Sequence, residues 1–389
     1  MYVSACNDLL EVPLRFIQRG VRSVGPAVDK KGCVMRLRTI RFWLFTVIIF
    51  SAVRGILGTD SPKVPTNVAY VSEEDGGISV IDLSTLRVIR SAGPSDLAPR
   101  GLAVTLDGRY IITSNKNTRD GAVFSTGDLR LLRRISIGES PEFIKINPAG
   151  DRLFATFEPS PKGGPPGAAK AGNDDENGPP AQIASFRVSD WAHGPGATAG
   201  QETEGIEFSR DGKLMLVANE SQETIGIFDE ATGRHLRDVD LKAYGIRPRG
   251  LKVSPQGDKY AVTMESSGTL LTMDANFKVI KSVPTAAKPY GVAFDRAGKR
   301  IFVSAALAGT LQVFSADSLE LLAEAPTGKR CWHFTFTPDD SKILLACGRS
   351  NNVVVIDATS YKPAGTVEGL KLPWGIVTYP RSYGSLGLP

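Results

Sequence analysis

Short apolar runs separated by turn residues follow one another along most of the chain, without long amphipathic helical patterns between them. A triplet of the Pro-x-Gly kind precedes an alternating apolar run, as at 99–101 before Leu102, Val104 and Leu106. Eight residues after the start of each of the first six triplets comes a turn pair of the Asp-Gly kind. Such pairs supply the positive φ angles of a tight hairpin. The pattern therefore predicts strands joined as hairpins.

The triplet recurs seven times, and this recurrence identifies the repeating unit. The triplets lie at residues 99–101, 141–143, 203–205, 248–250, 289–291, 331–333 and 373–375. The steps between their starts are 42, 62, 45, 41, 42 and 42 residues, and the long step contains an insertion. Between triplets come a second apolar run, a third that in several repeats ends in Asp, and a fourth such as 319–322; a run of the fourth kind at 86–89 precedes the first triplet. Four strands in a period of about 42 residues are typical of a propeller blade.

The two ends of the repeat region complement each other. Residues 66–92 supply a second, third and fourth strand without a first, whereas 373–379 supply a first strand with nothing after it. We therefore predict an all-β, seven-bladed β-propeller with four-stranded antiparallel blades, one of them closed by strands from both chain ends. Closure joins the two chain ends and completes the blade that each end alone would leave open at an edge. The predicted propeller spans residues 59–383, and residues 384–389 form a C-terminal tail.

The first 58 residues are predicted to be a targeting segment. Arg36, Arg38 and Arg41 precede an apolar run at 42–53, which is short for a bilayer span but suits a signal peptide. We predict an N-terminal extension and signal peptide over residues 1–58, with Met35 as the true start; an uncleaved anchor is the alternative. Cleavage would leave no stable membrane span. The prediction is a periplasmic or secreted protein.

Cysteine usage is compatible with export but does not require it. Two cysteines, Cys6 and Cys33, lie in the predicted extension, so Cys331 and Cys347 remain in the propeller. Both fall in one predicted hairpin. A disulfide and two buried thiols are both consistent with this placement.

The charge balance argues against a nucleic-acid-binding protein. The chain has 46 Lys and Arg against 41 Asp and Glu. Nine of the basic residues and three of the acidic ones lie in residues 1–54, so the remainder is close to neutral. A nucleic-acid binder usually carries a basic face. Binding of a single strand or surface polymer by Arg and aromatic residues stays a weaker alternative.

The repeat resembles a known family at several motifs. With the segments 69–72, 78–82, 99–101 and 107–108 in place, the pattern resembles the YVTN-repeat β-propeller family. The segments 331–339, 350–357 and 373–375 are most similar to its PQQ-dependent catabolism-associated subgroup. The resemblance covers about residues 66–380 and implies an exported bacterial propeller. The subgroup's name describes associated pathways and implies no particular reaction.

In a propeller of this kind, the triplets begin the innermost strands, and the loops between second and third strands reach the same end. We expect both sets to converge on the mouth of the central channel, which is the default ligand site of the fold. The candidate ligand-binding residues are Arg100, Asn115, Glu142, Glu158, Glu204, Asn219, Glu220, Arg249, Glu265, Tyr290, Trp332, His333, Arg349 and Trp374.

Two interpretations of this mouth stay open. Arg100 and Arg249 have the bidentate geometry that holds a carboxylate or phosphate, and Trp332 and Trp374 can stack on a flat ligand. Alternatively, arginines pair with glutamates and the aromatic residues fill the channel. His333 is more simply a structural hydrogen-bonding group than a base, and a lone histidine does not indicate a metal site.

The Pro- and Gly-rich insertion at 159–181 is predicted to be a flexible loop on the mouth side of the third blade. It is either a lid or a tolerated surface insertion, and the second interpretation is the simpler one.

The motifs favour a non-catalytic protein. The sequence has no Cys-x-x-Cys-His haem motif, Gly-x-Ser-x-Gly elbow or phosphate-binding glycine loop. We therefore predict no catalytic residue, cofactor or metal, and we do not expect this chain to bind PQQ itself. The expected function is that of an exported binding or scaffold protein, accessory to a periplasmic quinoprotein or other oxidative catabolic system. The expected partner is an exported dehydrogenase, cytochrome or transporter component; the alternative is a lactonase-type hydrolase.

Overall fold

The computed structural model describes residues 63–94, 96–158 and 179–388. The predicted extension and signal peptide, the start at Met35 and nearly all of the predicted insertion lie outside these residues. The predicted domain boundaries therefore stay predictions. Within the described part of the chain, no helix has the length and apolar character needed to cross a membrane.

The described residues form 28 strands in seven four-stranded sheets. The first fourteen are β1 (Val68–Glu73), β2 (Ile78–Asp82), β3 (Arg87–Ala92), β4 (Pro99–Val104), β5 (Tyr110–Asn115), β6 (Asp120–Ser125), β7 (Leu131–Ser136), β8 (Pro141–Ile146), β9 (Arg152–Phe157), β10 (Gln182–Arg187), β11 (Ala197–Thr198), β12 (Thr203–Phe208), β13 (Leu214–Asn219) and β14 (Thr224–Asp229). The other fourteen are β15 (His235–Asp240), β16 (Pro248–Val253), β17 (Lys259–Met264), β18 (Thr269–Asp274), β19 (Val279–Pro284), β20 (Pro289–Phe294), β21 (Arg300–Ala305), β22 (Thr310–Ser315), β23 (Leu321–Pro326), β24 (Cys331–Phe336), β25 (Lys342–Cys347), β26 (Asn352–Asp357), β27 (Pro363–Val367) and β28 (Pro373–Tyr379). Two short 3-10 helices accompany them, Glu220–Gln222 and Gly348–Ser350.

The sheets are the seven predicted blades, and the ring closes as predicted. Blade 1 has the strand order β28-β1-β2-β3, so both chain ends contribute to it. Tyr70 lies opposite Val377 in the antiparallel pair of β1 and β28. Blades 2 to 7 follow in chain order, and each innermost strand begins at one of the predicted triplets. The seven-bladed, all-β fold is therefore confirmed.

The turns explain why the repeat has its sequence pattern. Gly108, the second residue of a predicted turn pair, has φ of +70°. Gly108 joins the first two strands of blade 2. In the turn between the third and fourth strands of blade 1, the Asp82 carboxylate accepts hydrogen bonds from the backbone N–H groups of Ser84 and Thr85. The fourth strand then begins at Arg87, one residue later than the pattern predicts, because Leu86 remains in the turn with φ of +54°.

The core lies between neighbouring blades. One cluster joins Leu216 and Ile227 of blade 4 to Val262 and Leu271 of blade 5, all fully or almost fully buried. A single sheet of this size has two apolar faces and cannot bury either alone. Burial of each such side chain contributes about 1.5–3 kcal/mol, so closure of the ring, which gives every blade two neighbours, stabilises the whole fold.

The two loop sets predicted to share the mouth lie side by side. Backbone hydrogen bonds join the loop before an inner strand to the loop between second and third strands of the same blade. Examples are Lys116 N–H to the Ala98 carbonyl at 3.1 Å and Glu265 N–H to the Arg247 carbonyl at 2.8 Å. The mouth is therefore a surface built from two loops of every fully described blade.

Candidate functional site

The second residue of each inner strand forms a ring at the mouth. Its members are Arg100, Glu142, Glu204, Arg249, Tyr290, Trp332 and Trp374. In five blades the residue after the ring residue is glycine. At Gly250, for example, a Cβ would lie 2.2 Å from the Tyr290 carbonyl oxygen. Glycine therefore allows neighbouring inner strands to approach closely, and ring side chains of adjacent blades come into contact.

Arg100 is the centre of the first charged cluster in this ring. Its side chain is 1% exposed and forms ion pairs with Glu142 and, at 3.1 Å, with Glu74. Burial by itself would lower the pKa of Arg100, but the two carboxylates outweigh that effect and raise it. Arg100 is thus a buried, internally neutralised cation, as the pairing interpretation of the mouth predicts.

Arg249 is the centre of the second cluster. Its guanidinium lies 2.8 Å from Glu204, 2.7 Å from Glu220 and 2.8 Å from Glu265. The guanidinium also donates a hydrogen bond to the Tyr290 hydroxyl at 2.7 Å, with the ring centroid 4.6 Å away. Three carboxyl groups and an aromatic ring therefore surround one buried arginine.

This second cluster contains more carboxyl groups than cations. Arg247 joins Glu220 and Glu202 to the cluster, so two guanidinium groups face four carboxyl groups. Burial, opposed by Arg249 and reinforced by Glu204, raises the pKa of Glu220 to about 8. Glu220 therefore binds a proton at neutral pH, which relieves repulsion among the carboxylates. Within the described residues, no group of three or more His, Cys, Asp and Glu is placed to hold a metal ion.

His333 follows Trp332, one of the seven residues that form the ring at the mouth, and its side chain is buried. Its Nδ1 lies 3.1 Å from the Ser385 hydroxyl, while no hydrogen-bond partner for Nε2 exists among the described residues. Its ring is 4.3 Å from that of Trp374 and 6.1 Å from that of Phe143, which belongs to blade 3. Burial, with a further contribution from Arg249, lowers the pKa of His333 to about 3, so the imidazole is neutral at physiological pH.

The channel is narrow beneath the ring. A cavity of about 10 Å³ is lined by residues that include Phe143, Glu204, Arg249, Tyr290 and His333. That volume is close to the least that holds one water molecule. Aromatic side chains thus occupy the channel, as the second interpretation of the mouth predicts.

The C-terminal residues occupy the channel below this cavity. Ser385 N–H donates to the Phe334 carbonyl, and Phe336 N–H donates to the Tyr383 carbonyl, both at 2.9 Å. The tail thereby pairs with the free edge of β24. Leu386 is buried in the core cluster that contains Phe143 and Trp374, which belong to blades on different sides of the channel.

A buried charged triad, which the sequence analysis missed, supports the tail from the side. Lys145 lies 2.8 Å and Lys252 3.4 Å from the Glu207 carboxylate. Lys252 also donates a hydrogen bond to the Gly387 carbonyl at 2.8 Å. These three residues hold the fifth position of consecutive inner strands, where blades 2 and 6 have alanine. That alternation of Lys and Glu in apolar strands was the available signal.

The remaining predicted site residues have different positions. The Asn115 side chain donates to Asp120 at 2.9 Å, and that of Asn219 accepts the Gly200 N–H at 3.0 Å, so both organise turns. Trp332 is buried against the turn at Gly348, and Arg349 in that turn is exposed. Glu158 is half-buried and is the last described residue after β9 before the gap in blade 3. The structure therefore brings together the ring residues other than Trp332 with Glu220, Glu265 and His333. Asn115, Asn219 and Trp332 are buried against turns, and Arg349 faces solvent.

Cys331 and Cys347 form a disulfide between β24 and β25. Of the two alternatives left by the sequence, the structure contains the bond rather than free thiols. Disulfides persist in oxidising compartments.

Comparison with known proteins supports the fold. No protein-family model matches the chain, and no curated protein sequence matches it. Among solved structures, it is similar to a protein of unknown function from Desulfotomaculum acetoxidans, with TM-score 0.68, 16% identity and coverage of 80% of this chain and 98% of that one. It is also similar to the periplasmic gluconolactonase of Pseudomonas aeruginosa, with TM-score 0.65, 16% identity and coverage of 82% of this chain and 99% of that one. For hydrazine synthase of Kuenenia stuttgartiensis the TM-score is 0.60 and the identity 18%, with coverage of 78% of this chain and 99% of that one. At these identities the likeness concerns the fold alone.

Proposed function

We propose that this chain is an exported, non-catalytic binding or scaffold propeller that acts through its outer surface. The observation that carries the proposal is the filled channel, in which Phe143, His333 and the tail leave two cavities of only about 10 and 20 Å³. Pockets for small molecules usually have about 300–1,000 Å³. The channel residues are thus better suited to hold the ring of blades together than to admit a ligand.

The electrostatics of the mouth support the same interpretation. Arg100 and Arg249, the two ring cations that have the geometry to bind an anion, are both neutralised by glutamates of this chain. A ligand carboxylate would have to displace a buried ion pair, and breaking such a pair typically costs about 3–5 kcal/mol. Binding of a partner on the exposed loops requires no such rearrangement.

Export to the periplasm is part of the proposal. The basic and apolar pattern at 36–53, the Cys331–Cys347 disulfide and the resemblance to exported YVTN propellers support it. The closest motif resemblance, to the PQQ-dependent catabolism-associated subgroup, suggests a role accessory to a periplasmic quinoprotein or other oxidative system. The proposed partner is accordingly an exported dehydrogenase, cytochrome or transporter component.

Affinity purification after cross-linking in intact cells tests this function. The tagged full chain is recovered from periplasm and from cytoplasm, and an unrelated tagged exported protein serves as control. We expect the chain in the periplasmic fraction, with one dehydrogenase, cytochrome or transporter component enriched over the control. Recovery of the chain alone in repeated experiments would contradict the proposal.

A lactonase-type hydrolase is the second candidate. Two observations favour it: Arg249, Tyr290, His333 and Glu204 line one cavity, and a structure of the same fold is a periplasmic gluconolactonase. A lactone would require Phe143 and the tail to move aside. Turnover of a lactone panel by wild type, lost in Arg249→Lys and His333→Gln but kept in Lys213→Ala at the opposite end, would support hydrolysis. Absence of turnover by wild type across the panel would remove this candidate.

A further inference from the structure

The mouth loops of blades 6 and 7 form one continuous surface. Ala306 N–H donates to the Lys288 carbonyl at 2.9 Å, and Arg330 N–H donates to the Ala306 carbonyl at 3.1 Å. Arg349 N–H then donates to the Lys329 carbonyl at 3.1 Å. Four loops, 285–288, 306–309, 327–330 and 348–351, are thus linked side by side by their backbones.

This surface has one sign of charge. Its loops contain Lys288, Lys329, Arg330 and Arg349 but no Asp or Glu. The ion pairs of the described chain include none of these four side chains. This is unusual for this mouth, because the other blades bring glutamates that neutralise Arg100, Arg247 and Arg249. The four cations are at least partly exposed and are not neutralised by the protein.

Exposed aliphatic side chains accompany the cations. Leu307 and Ile246 are each 56% exposed. Ser266 N–H donates to the Ile246 carbonyl at 3.2 Å, and the Lys288 ammonium donates to the Ser266 hydroxyl at 3.1 Å, which places Ile246 beside Lys288. Leu307 N–H donates to the Ala287 carbonyl, so Leu307 lies on the other side of the same loop. We name Ile246, Lys288, Leu307, Lys329, Arg330 and Arg349 the basic sector.

From this arrangement we infer that the basic sector docks the acidic face of a folded protein partner. Cations flanking apolar anchors are typical of a protein interface, in which an apolar centre is surrounded by a charged rim. An anionic polymer would bind the cations but would leave Leu307 and Ile246 without an apolar counterpart. Binding to a lipid surface scales with the apolar area that enters the bilayer, and two aliphatic side chains offer little of it. The inference rests on the proposed binding function and assigns the surface and the chemistry of the partner.

Site-specific photo-cross-linking in cells locates the surface. A photoreactive phenylalanine derivative replaces Leu307 in one full-length variant and Leu106, 46% exposed in a turn at the opposite end, in another. We expect the first variant alone to yield a cross-linked protein, identified by mass spectrometry. Cross-linking from position 106 but not 307 would overturn the inference and leave the binding function standing. No cross-linked protein from either position would count against both.

Charge-reversal variants of this chain, measured for binding to the identified and purified partner, test the chemistry of the surface. In Lys329→Glu/Arg349→Glu we expect affinity to fall about tenfold or more at low salt, and wild-type affinity to fall with added NaCl. The matched control, Lys278→Glu/Lys362→Glu, makes the same charge change on exposed turns at the opposite end and should stay within about twofold of wild type. Equal loss in both variants, or none in either, would overturn the inference.

Two anionic probes separate the competing occupants. Vesicles of phosphatidylglycerol and phosphatidylcholine, and heparin, are each added to wild type and to both charge-reversal variants. We expect both probes to bind weakly, with an affinity that Leu307→Ser does not change. The same substitution should lower the affinity for the protein partner. Tighter binding of wild type to either probe than to the protein partner would overturn the inference. Unchanged thermal unfolding of each variant shows that the fold is intact.

Discussion

Phe143 and His333 belong to blades 3 and 7, yet their rings lie 6.1 Å apart. In five of the seven inner strands, the corresponding position is glycine, which brings adjacent strands together and has no side chain. The two exceptions meet inside the channel. Beneath them, Ser385 contacts His333 and Leu386 packs among the inner strands, so both also occupy the channel. The same positions that define the repeat in sequence therefore determine where the channel is closed.

The tail is predicted to contribute to stability. Leu386→Ala removes a side chain that is 7% exposed and packs among inner strands, so we expect a loss of about 2–5 kcal/mol in the free energy of unfolding. Urea unfolding measures it. Leu307→Ala, at a side chain that is 56% exposed, is the matched control and should change stability by no more than about 0.5 kcal/mol. Equal losses in the free energy of unfolding for the two variants would mean that the tail does not pack as described.

Glu220 is predicted to make stability fall with rising pH. Its pKa of about 8 in the folded state exceeds that of an unfolded carboxyl, so the folded protein binds the extra proton. The stabilisation is complete at acidic pH and is lost as pH rises through about 8. In Glu220→Gln this part of the fall should disappear, while Glu223→Gln should keep the wild-type profile. Parallel unfolding profiles for wild type and Glu220→Gln between acidic and alkaline pH would contradict the prediction.

His333 is predicted to stay neutral over the physiological pH range. Its pKa of about 3 lies below that of an unfolded histidine, so the unfolded state binds the proton first. Stability is therefore lost as pH falls from the unfolded value of about 6.5 toward the folded one. NMR of the imidazole, assigned with His333→Gln, should show no titration between neutral pH and about pH 5. A midpoint near the unfolded value would show that water reaches the ring.

The disulfide is predicted to stabilise blade 7. Cys331 and Cys347 are separated by 16 residues, and a bond closing a loop of about that length contributes about 3 kcal/mol. The double variant Cys331→Ser/Cys347→Ser should unfold at a lower denaturant concentration than wild type. Reductant should not lower the unfolding midpoint of this variant any further. Wild type that is insensitive to reductant under unfolding conditions would contradict this expectation.

The sequence predicted the blades because their signals are local. A triplet and a turn pair constrain neighbouring residues, so the strand order and even the pairing of the first and last strands, β1 and β28, could be predicted. The start of the fourth strands was set too early. Leu319, for instance, has a positive φ that normally favours glycine, and burial of its side chain to 2% exposure compensates for the strain.

The ring of charges was predicted only in part, because its partners are remote in sequence. Arg100 and Glu142 were candidates, but Glu74 joins them from a loop of blade 1 that no motif marks. Ser385 was missed for the same reason, because nothing in the local sequence of residues 384–388 indicates that they enter the channel. Such contacts depend on ring closure, which must be known before they can be inferred.

A crystal structure of the full chain, with the channel density compared before and after soaking with gluconolactone, is the decisive test of whether the channel is filled. We predict Phe143 and His333 in contact, the chain from Tyr383 to Gly387 inside the channel, and at most one ordered water between His333 and Arg249. The soak should leave this density unchanged. An open channel, or a sugar lactone bound between Arg249 and His333, would contradict the account.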